Sequence, residues 1–230
     1  TDDFKTVALQ FTDPRIKLLA FDENRGVQEA MNQMAFRAKG EFFMALSADD
    51  WVDPTYVEKA LAEFAKDPWC EFVASQTDFY DEEGKPLPDG SHGFQNIPKV
   101  VNRPREEWIA TLHGGNHYFG AGMYRTKTIS EVGGWEKQYK VISDYQMYLK
   151  ILHRGDNIRV IEENLTHTRV HKGDKNMSIL NDTQAEELPW LYHAAKKPFY
   201  RKLMKVAICT PFYEVKAYAP YITSLMQTTR

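Results

Sequence analysis

The chain has little cysteine, no long apolar run and no excess of basic charge. Only Cys70 and Cys209 occur among 230 residues. Two isolated cysteines in apolar surroundings indicate buried thiols in a reducing compartment, not a disulfide framework, so we expect a cytoplasmic protein. No apolar stretch reaches the length that spans a bilayer. The net charge of −3 gives no reason to expect nucleic acid or an anionic membrane as a partner.

The residues that are present suit a packed α/β domain. Hydrophobic residues make up 43% of the chain and aromatic residues 13%, which is enough for a core. Apolar residues recur at helical spacing over 27–38 and 54–66, and strand-like runs separate these segments. This alternation predicts an α/β fold with a parallel type of sheet. The predicted strands are 16–21, 41–46, 71–76, 158–161 and 165–171. Further helices are predicted over 1–11, 105–112, 127–132 and 143–153, with a loop over 78–105.

The most informative stretch covers residues 40–54. A short apolar run at 41–46 ends in Asp49 and Asp50, and Asp53 then begins a helix as its cap. Carboxylates at the carboxyl end of a strand lie where open α/β sheets bind ligands. They suit a divalent cation that also holds a diphosphate. The alternative is that Asp50 and Asp53 only shape the turn and cap the helix.

A series of short motifs follows in order between residues 14 and 171. The motifs are Pro14-Arg-Ile-Lys-Leu-Leu, Glu23-Asn-Arg-Gly-Val, Asn32, Ala38-Lys-Gly-Glu-Phe, Ser47-Ala-Asp-Asp with Pro54, Tyr124-Arg, Gly133-Gly-Trp, Ser143-Asp144 and His171. Their order and spacing resemble the later part of a family 2 glycosyltransferase with the GT-A fold. The resemblance implies a mixed, mostly parallel sheet flanked by helices. It also implies inverting transfer of a sugar from a nucleotide diphosphate sugar, expected to be a UDP-sugar, to a hydroxyl of a carbohydrate or other acceptor.

The resemblance assigns a metal site to the turn after residues 41–46. Asp49 stands at the third position of the family's Asp-x-Asp motif, which binds Mn²⁺ or Mg²⁺ on the diphosphate. Ser47 replaces the first aspartate, and Asp50 is a second candidate ligand. His171 stands where a histidine of similar enzymes approaches the metal or the diphosphate. A cation there would stabilise the negative charge of the departing diphosphate.

The resemblance also makes Asp144 the catalytic base, with Ser143 where the family has another acid. Asp144 would accept the proton of the acceptor hydroxyl as its oxygen attacks the sugar. The alternative is a helix-capping role, because an acid near a helix N-terminus is stabilised by the helix dipole. That dipole would lower the pKa of Asp144 and weaken it as a base unless burial offsets the effect.

Further contacts are implied around these acids. Asn24, Arg25 and Gly26 lie where the family's loop borders the nucleotide, although Asn24 and Gly26 are also ordinary turn residues. Two histidines four residues apart, at 113 and 117, lie in a glycine-rich loop without a third ligand nearby in sequence, which argues against zinc. The residues expected on the acceptor side are Asn116, His117 and Trp135. For Trp135, which is expected to stack on a sugar, the alternative is a place in the core.

Both ends of the chain depart from the family pattern. The family's opening strand ends near Thr-Pro-x-Tyr, and this motif appears only within 206–213, so we expect nucleotide contacts from Thr210, Pro211 and Tyr213. We therefore divide the chain into a GT-A core lacking its first strands (1–175), a helical linker (176–205) and a GT-A-like strand and helix (206–230). The last segment either begins a second domain or completes the sheet of the core. In the second case it would complete the sheet of its own chain or that of another copy in a homo-oligomer.

Two other functions are alternatives to glycosyl transfer. Ser47, Ser143 and the absent nucleotide-binding strands favour a non-catalytic module that binds a nucleotide or a carbohydrate on the same fold. A nucleotidyltransferase uses similar acids, but it usually needs a glycine-rich basic phosphate loop near its start, and the sequence shows none.

Overall fold

A computed structural model describes residues 4–88, 119–139 and 143–171, with the helical residues Arg105, Glu107, Trp108 and Leu112 between them. Within these residues one sheet is flanked by helices. Its strands are β1 (Phe42–Ala45), β2 (Trp51–Val52), β3 (Cys70–Tyr80), β4 (Gly122–Arg125) and β5 (Asn157–Arg169). The helices are α1 (Phe4–Ala8), α2 (Val27–Arg37), α3 (Tyr56–Lys66), α4 (Thr126–Glu131) and α5 (Ser143–Arg154).

The strand order is β1-β4-β3-β5-β2. The parallel ladder between β3 and β5 is the longest, with ten residue pairs, whereas the antiparallel ladders β1–β4, β2–β5 and β3–β4 have four, two and two. Since β4 is antiparallel to both β1 and β3, the strands β1, β3 and β5 all run in one direction. The predicted mixed, mostly parallel sheet is confirmed. The carboxyl ends of these three strands lie at the same end of the sheet, so the turns that follow them are neighbours.

Hydrophobic clusters cover both faces of the sheet. Phe72 and Val73 are fully buried on opposite faces of β3 because successive strand side chains alternate. Phe72 packs with α5 through Tyr148 and Ile151. Val73 packs with α3 through residues such as Phe64. Burial on both faces suits the apolar stretch Phe72–Ala74, and the polar residues Ser75, Gln76 and Thr77 that follow are buried as well.

Several predicted strands differ from the structure. Residues 16–21 form no strand, and Ile16 and Leu18 are each 48% exposed, because no described strand pairs with this segment. The two strands predicted at 158–161 and 165–171 are one strand, β5. Its register steps from Ser75↔Ile161 to Gln76↔Asn164, so Glu162 and Glu163 bulge out and interrupt the apolar pattern. β2 was missed because it is only two residues long.

The predicted strand 71–76 was too short at its end, since β3 continues to Tyr80. The predicted loop therefore begins later than residue 78. The helices α2, α3, α4 and α5 match their predicted positions to within two residues, while α1 covers only part of the predicted segment 1–11. None of the helices in the described ranges has the length and apolarity needed to cross a membrane.

The predicted linker 176–205 and the strand and helix at 206–230 lie outside the described residues. The same holds for the predicted nucleotide contacts Thr210, Pro211 and Tyr213, and for the predicted acceptor contacts Asn116 and His117. The proposed homo-oligomer through 206–230 is likewise untested and stays a prediction.

Candidate active site

The turns after β1, β3 and β5 bring three side chains together. Asp49 follows β1, and His171 lies two residues beyond the end of β5. Their side chains are in contact, with His171 Nε2 2.8 Å from Asp49 Oδ2. On the other side of the ring, His171 Nδ1 lies 3.6 Å from Glu82 Oε1 in the turn after β3. All three side chains are partly exposed, between 40% and 45%.

Asp50 ties the turn after β1 to the end of β5. Its Oδ1 accepts a hydrogen bond from the backbone N–H of Arg169 at 3.1 Å, and its own N–H donates to the carbonyl of Ser47. Burial raises the pKa of the Asp50 carboxyl above its ordinary value. The hydrogen bond fixes the turn and so fixes Asp49 beside His171. A metal-binding role for Asp50 remains a prediction. Its Oδ1 already accepts this backbone hydrogen bond, so a cation would bind mainly through Oδ2.

The charge of the cluster is partly balanced by the histidine. The hydrogen bond to Asp49, with a smaller contribution from Glu82, raises the pKa of His171 above its ordinary value. Two carboxylates around one imidazole therefore form a local negative site that favours a cation. A divalent ion that binds between His171 Nε2 and Asp49 Oδ2 would compete with the proton of that hydrogen bond.

A cleft of about 350 Å³ opens beside the turn after β1. Its walls come from α2, from the turn itself, from the segment before and into β4, and from the start of α5. The polar residues of the lining are Gln28, Ser47, Asp50, Tyr124, Trp135, Ser143, Asp144 and Tyr148. Asp50 and Asp144, which are far apart in sequence, therefore face one cavity.

Asp144 is the second residue of α5. The residue is exposed to solvent, although many protein atoms lie around its carboxyl group. The resulting desolvation raises the pKa of Asp144 to about 6. The dipole of α5 acts in the opposite sense. Such a carboxylate is ionised at neutral pH and is more basic than an ordinary aspartate.

The start of α5 is held in place from α2. Gln28 Nε2 donates to the carbonyl of Tyr139 at 3.0 Å and lies 3.4 Å from Ser143 Oγ. Behind Asp144, the hydroxyls of Tyr124 and Tyr148 form a hydrogen bond with each other, and burial raises the pKa of both. We did not expect a role for Tyr148 from the sequence. Its position four residues after Asp144 on a helix was the available signal.

Trp135 is 3% exposed and belongs to the core as well as to the lining of the cleft. Asn32 on α2 holds its backbone on both sides: Asn32 Oδ1 accepts from Trp135 N, and Asn32 Nδ2 donates to Trp135 O, both at 2.8 Å. The ring packs edge-on against Tyr124. Acceptor binding by Trp135 stays a prediction. Any such contact would use the part of the Trp135 side chain that lines the cleft.

The loop before α2 has the geometry expected if Asn24 and Gly26 are ordinary turn residues. Asn24 Oδ1 accepts from Gly26 N at 2.9 Å, and Gly26 has a φ of 83°, which favours glycine. Arg25 lies 3.8 Å from Glu23 and over the ring of Phe21. Val27 and Gln28, which follow directly, line the cleft. Nucleotide contacts by Asn24, Arg25 and Gly26 remain a prediction.

The donor atoms near His171 fit a metal that is shared with a substrate. In the described part of the chain, no group of three His, Cys, Asp or Glu residues is arranged to hold an ion by itself. Mg²⁺ typically takes one or two protein carboxylates and completes its shell with phosphate oxygens and water. Asp49 and His171 offer one carboxylate and one imidazole in contact. This pair suits a cation bound together with a diphosphate better than a cage made of protein alone.

Solved structures share this fold. S. aureus TarS aligns with a TM-score of 0.60 at 16% identity, covering 95% of this chain and 38% of that one. The mannosyltransferase PcManGT from Pyrobaculum calidifontis aligns with a TM-score of 0.57 at 14% identity, covering 98% of this chain and 61% of that one. The architecture is therefore that of a GT-A glycosyltransferase domain.

Sequence comparison agrees with the fold. A chondroitin synthase of Pasteurella multocida (strain Pm70) is 29% identical over 176 residues, which is 75% of this chain but 16% of the synthase. The chain thus spans about a sixth of that relative. The profile described as "Glycosyl transferase family 2" matches residues 1–131. The chain belongs to glycosyl transferase family 2, and the family and enzyme class predicted from the sequence are confirmed.

Proposed function

We propose that this chain transfers a sugar, with inversion, from a nucleoside diphosphate sugar to an acceptor hydroxyl. The observation that carries the proposal is the shared cleft: Asp144 lines it from α5, and Asp50 lines it from the turn that also holds Asp49. Inverting transfer needs a base for the incoming hydroxyl and a charged site for the departing diphosphate. The two acidic elements of this cleft can divide those tasks.

The proposed base is Asp144. With a pKa of about 6, it is ionised at neutral pH and retains more proton affinity than an exposed aspartate, as general-base catalysis requires. Gln28 fixes the start of α5 through Tyr139 and Ser143, so the carboxylate is held on one wall of the cleft. It would take the proton of the acceptor hydroxyl as that oxygen attacks the anomeric carbon.

The proposed diphosphate site is formed by Asp49 and His171, with Mn²⁺ or Mg²⁺ as the cofactor. When bound, the cation supplies positive charge to the departing diphosphate. The mannosyltransferase PcManGT is described in complex with GDP-Man and Mn²⁺, which supports a nucleotide sugar and a metal here. We expect a UDP-sugar as donor. The similarity to a chondroitin synthase supports a carbohydrate acceptor.

The test is nucleotide release from a panel of UDP- and GDP-sugars with Mn²⁺, using saccharide acceptors. Asp144→Asn should remove turnover while keeping nucleotide binding, and Asp49→Ala should remove the response to Mn²⁺. Asp53→Asn is the matched control, because Asp53 Oδ1 accepts from Thr55 N at 2.8 Å and shapes the start of α3. Full activity in both test variants would contradict the site assignment. Metal-independent binding without turnover of any donor would support the non-catalytic module instead.

A further inference from the structure

His171 lies between two carboxylates that come from different strands. Its Nε2 is 2.8 Å from Asp49 Oδ2, and its Nδ1 is 3.6 Å from Glu82 Oε1. Asp49 belongs to the acidic turn after β1, whereas Glu82 belongs to a separate turn after β3. The two carboxylates therefore address the two different nitrogens of one ring.

The turn that carries Glu82 is well defined. Asp81 anchors it: Asp81 Oδ1 accepts from Lys85 N at 2.8 Å, and the carbonyl of Asp81 accepts from Gly84 N at 3.0 Å. The turn is also joined to the end of β5, since Val170 N donates to the carbonyl of Tyr80 at 2.7 Å. Glu82 is thus presented to His171 by a hydrogen-bonded turn on the neighbouring strand, not by a long free loop.

Stability alone gives a poor reason for this arrangement. The side chains of His171 and Glu82 are 45% and 40% exposed, and exposed ion pairs contribute little to stability. Orientation is a better reason, because a histidine that binds a metal usually donates its other ring N–H to a carboxylate, carbonyl or water. That partner fixes the tautomer and leaves the opposite nitrogen free to bind the metal.

We infer that Glu82 is a positioning residue for His171. Its carboxylate would keep the proton on Nδ1 when a cation displaces the proton that Nε2 now shares with Asp49, so that Nε2 would bind the cation together with Asp49. This inference rests on the proposed metal-assisted function. It adds a residue to the site that neither the acidic motif nor the histidine predicts.

The test is calorimetry of UDP, with GDP in parallel, in Mn²⁺ and again in EDTA. The ratio of the two affinities isolates the metal-dependent part of nucleotide binding. Glu82→Ala should lower this ratio by about tenfold, the smaller end of the 10–100-fold range found for such partners. Glu82→Gln should lower it less, because the amide oxygen can still accept from Nδ1–H. Affinity in EDTA should not change. Glu83→Gln removes the same charge from the same turn and should leave the ratio at the wild-type value.

The outcomes separate the inference from the proposed function. An unchanged ratio in both Glu82 variants, with the ratio lost in Asp49→Ala, would overturn the role of Glu82 and leave the metal site standing. A wild-type protein whose nucleotide affinity ignores Mn²⁺ would overturn both. An equal loss in Glu83→Gln would assign the effect to charge alone and would also overturn the inference. If Glu82→Ala unfolds, Glu82→Gln decides the matter.

Discussion

His171 Nε2 and Asp49 Oδ2 are 2.8 Å apart, although 122 positions separate the two residues in the chain. The contact follows from the sheet: β1 and β5 run in the same direction, so the turns that follow them meet at one edge. Asp50 reinforces it by accepting a hydrogen bond from Arg169 N. The topology, not local sequence, therefore forms the candidate metal site.

The contact leads to a first test on the histidine itself. We expect His171→Asn to raise the Mn²⁺ concentration needed for half-maximal nucleotide release by at least about tenfold, since one of two protein ligands is weakened. The measurement is a Mn²⁺ titration of initial rates at saturating donor. His153→Asn, in the last turn of α5, is the control and should titrate like the wild type. Identical titrations for all three proteins would remove His171 from the site.

The pKa of Asp144 leads to a pH test. Since that pKa is about 6 and a base must be unprotonated, kcat at saturating Mn²⁺ and donor should rise about tenfold per pH unit below 6. It should reach a plateau above pH 7. The pH profile of initial rates checks this, with Asp144→Asn as the control that should show only a flat residual rate. A wild-type profile that is level from pH 4.5 to pH 8 would exclude Asp144 as the base.

The same shift has a consequence for stability. The folded state raises the pKa of Asp144 from 3.8 to about 6, so the folded chain binds the proton more tightly than the unfolded chain between these values. Stability therefore falls as the pH rises through this window and stays lower above it. We expect Asp144→Asn to have a higher Tm than the wild type at pH 7.5, and the difference to disappear near pH 4.

The control for this stability test has the opposite sign. Hydrogen bonds from Thr55 lower the pKa of Asp53 below its ordinary value. Its contribution is therefore present at neutral pH and is lost as the pH falls through the folded pKa. Asp53→Asn should lower Tm at pH 7.5. Thermal unfolding followed by circular dichroism measures both variants, and a lower Tm for Asp144→Asn would contradict the desolvation described here.

Much of the site could be predicted from short-range patterns. The acidic turn at Asp49 and Asp50 was visible because an apolar run of strand length ends there, and Asp144 was visible at a helix start. Glu82 carried the same signal, an acid just after a strand, but the strand was predicted to end at Gln76. The polar residues Gln76 and Thr77 are buried and contact Thr166 of β5, which a local pattern does not show.

The errors elsewhere have the same origin. Ile16 and Leu18 have strand-like composition, yet a strand exists only where another strand supplies its hydrogen bonds, and no described strand does so. The single strand β5 looked like two because Glu162 and Glu163 bulge outward. The roles of Gln28 and Asn32 depend on partners more than 100 residues away, so no window of sequence reveals them.

Asn32 offers a test of how the cleft is built. Asn32→Ala removes two hydrogen bonds to the backbone of Trp135 and should lower the free energy of unfolding by about 1–3 kcal/mol. It should also raise KM for the acceptor if Trp135 lines the acceptor side. Urea unfolding and acceptor titration measure the two effects. Gln33→Ala loses hydrogen bonds only to Glu29 and Arg37, each one turn away on the same helix, and should cost about 0.5 kcal/mol or less.

Gly122 lines the cleft and lies against the core. A Cβ at this position would stand 2.1 Å from Phe72 Cε2, and Phe72 is fully buried against Tyr148 and Tyr124. Gly122→Ala should therefore lower the free energy of unfolding by about 1–3 kcal/mol through overpacking. Because Phe72 packs on Tyr148, the change should also reduce turnover.

A second substitution distinguishes steric overlap from a backbone effect. In Gly122→Ala, the further change Phe72→Leu should cost less than it does in the wild type, since the smaller side chain makes room for the new methyl group. Gly133→Ala is the matched control: its φ is +80° with nothing within 4 Å of the added Cβ, so it should cost about 1–2 kcal/mol through strain. Phe72→Leu should give that variant no relief. Urea unfolding of the six proteins completes the cycle, and additive losses at Gly122 and Phe72 would show that the two residues do not compete for space.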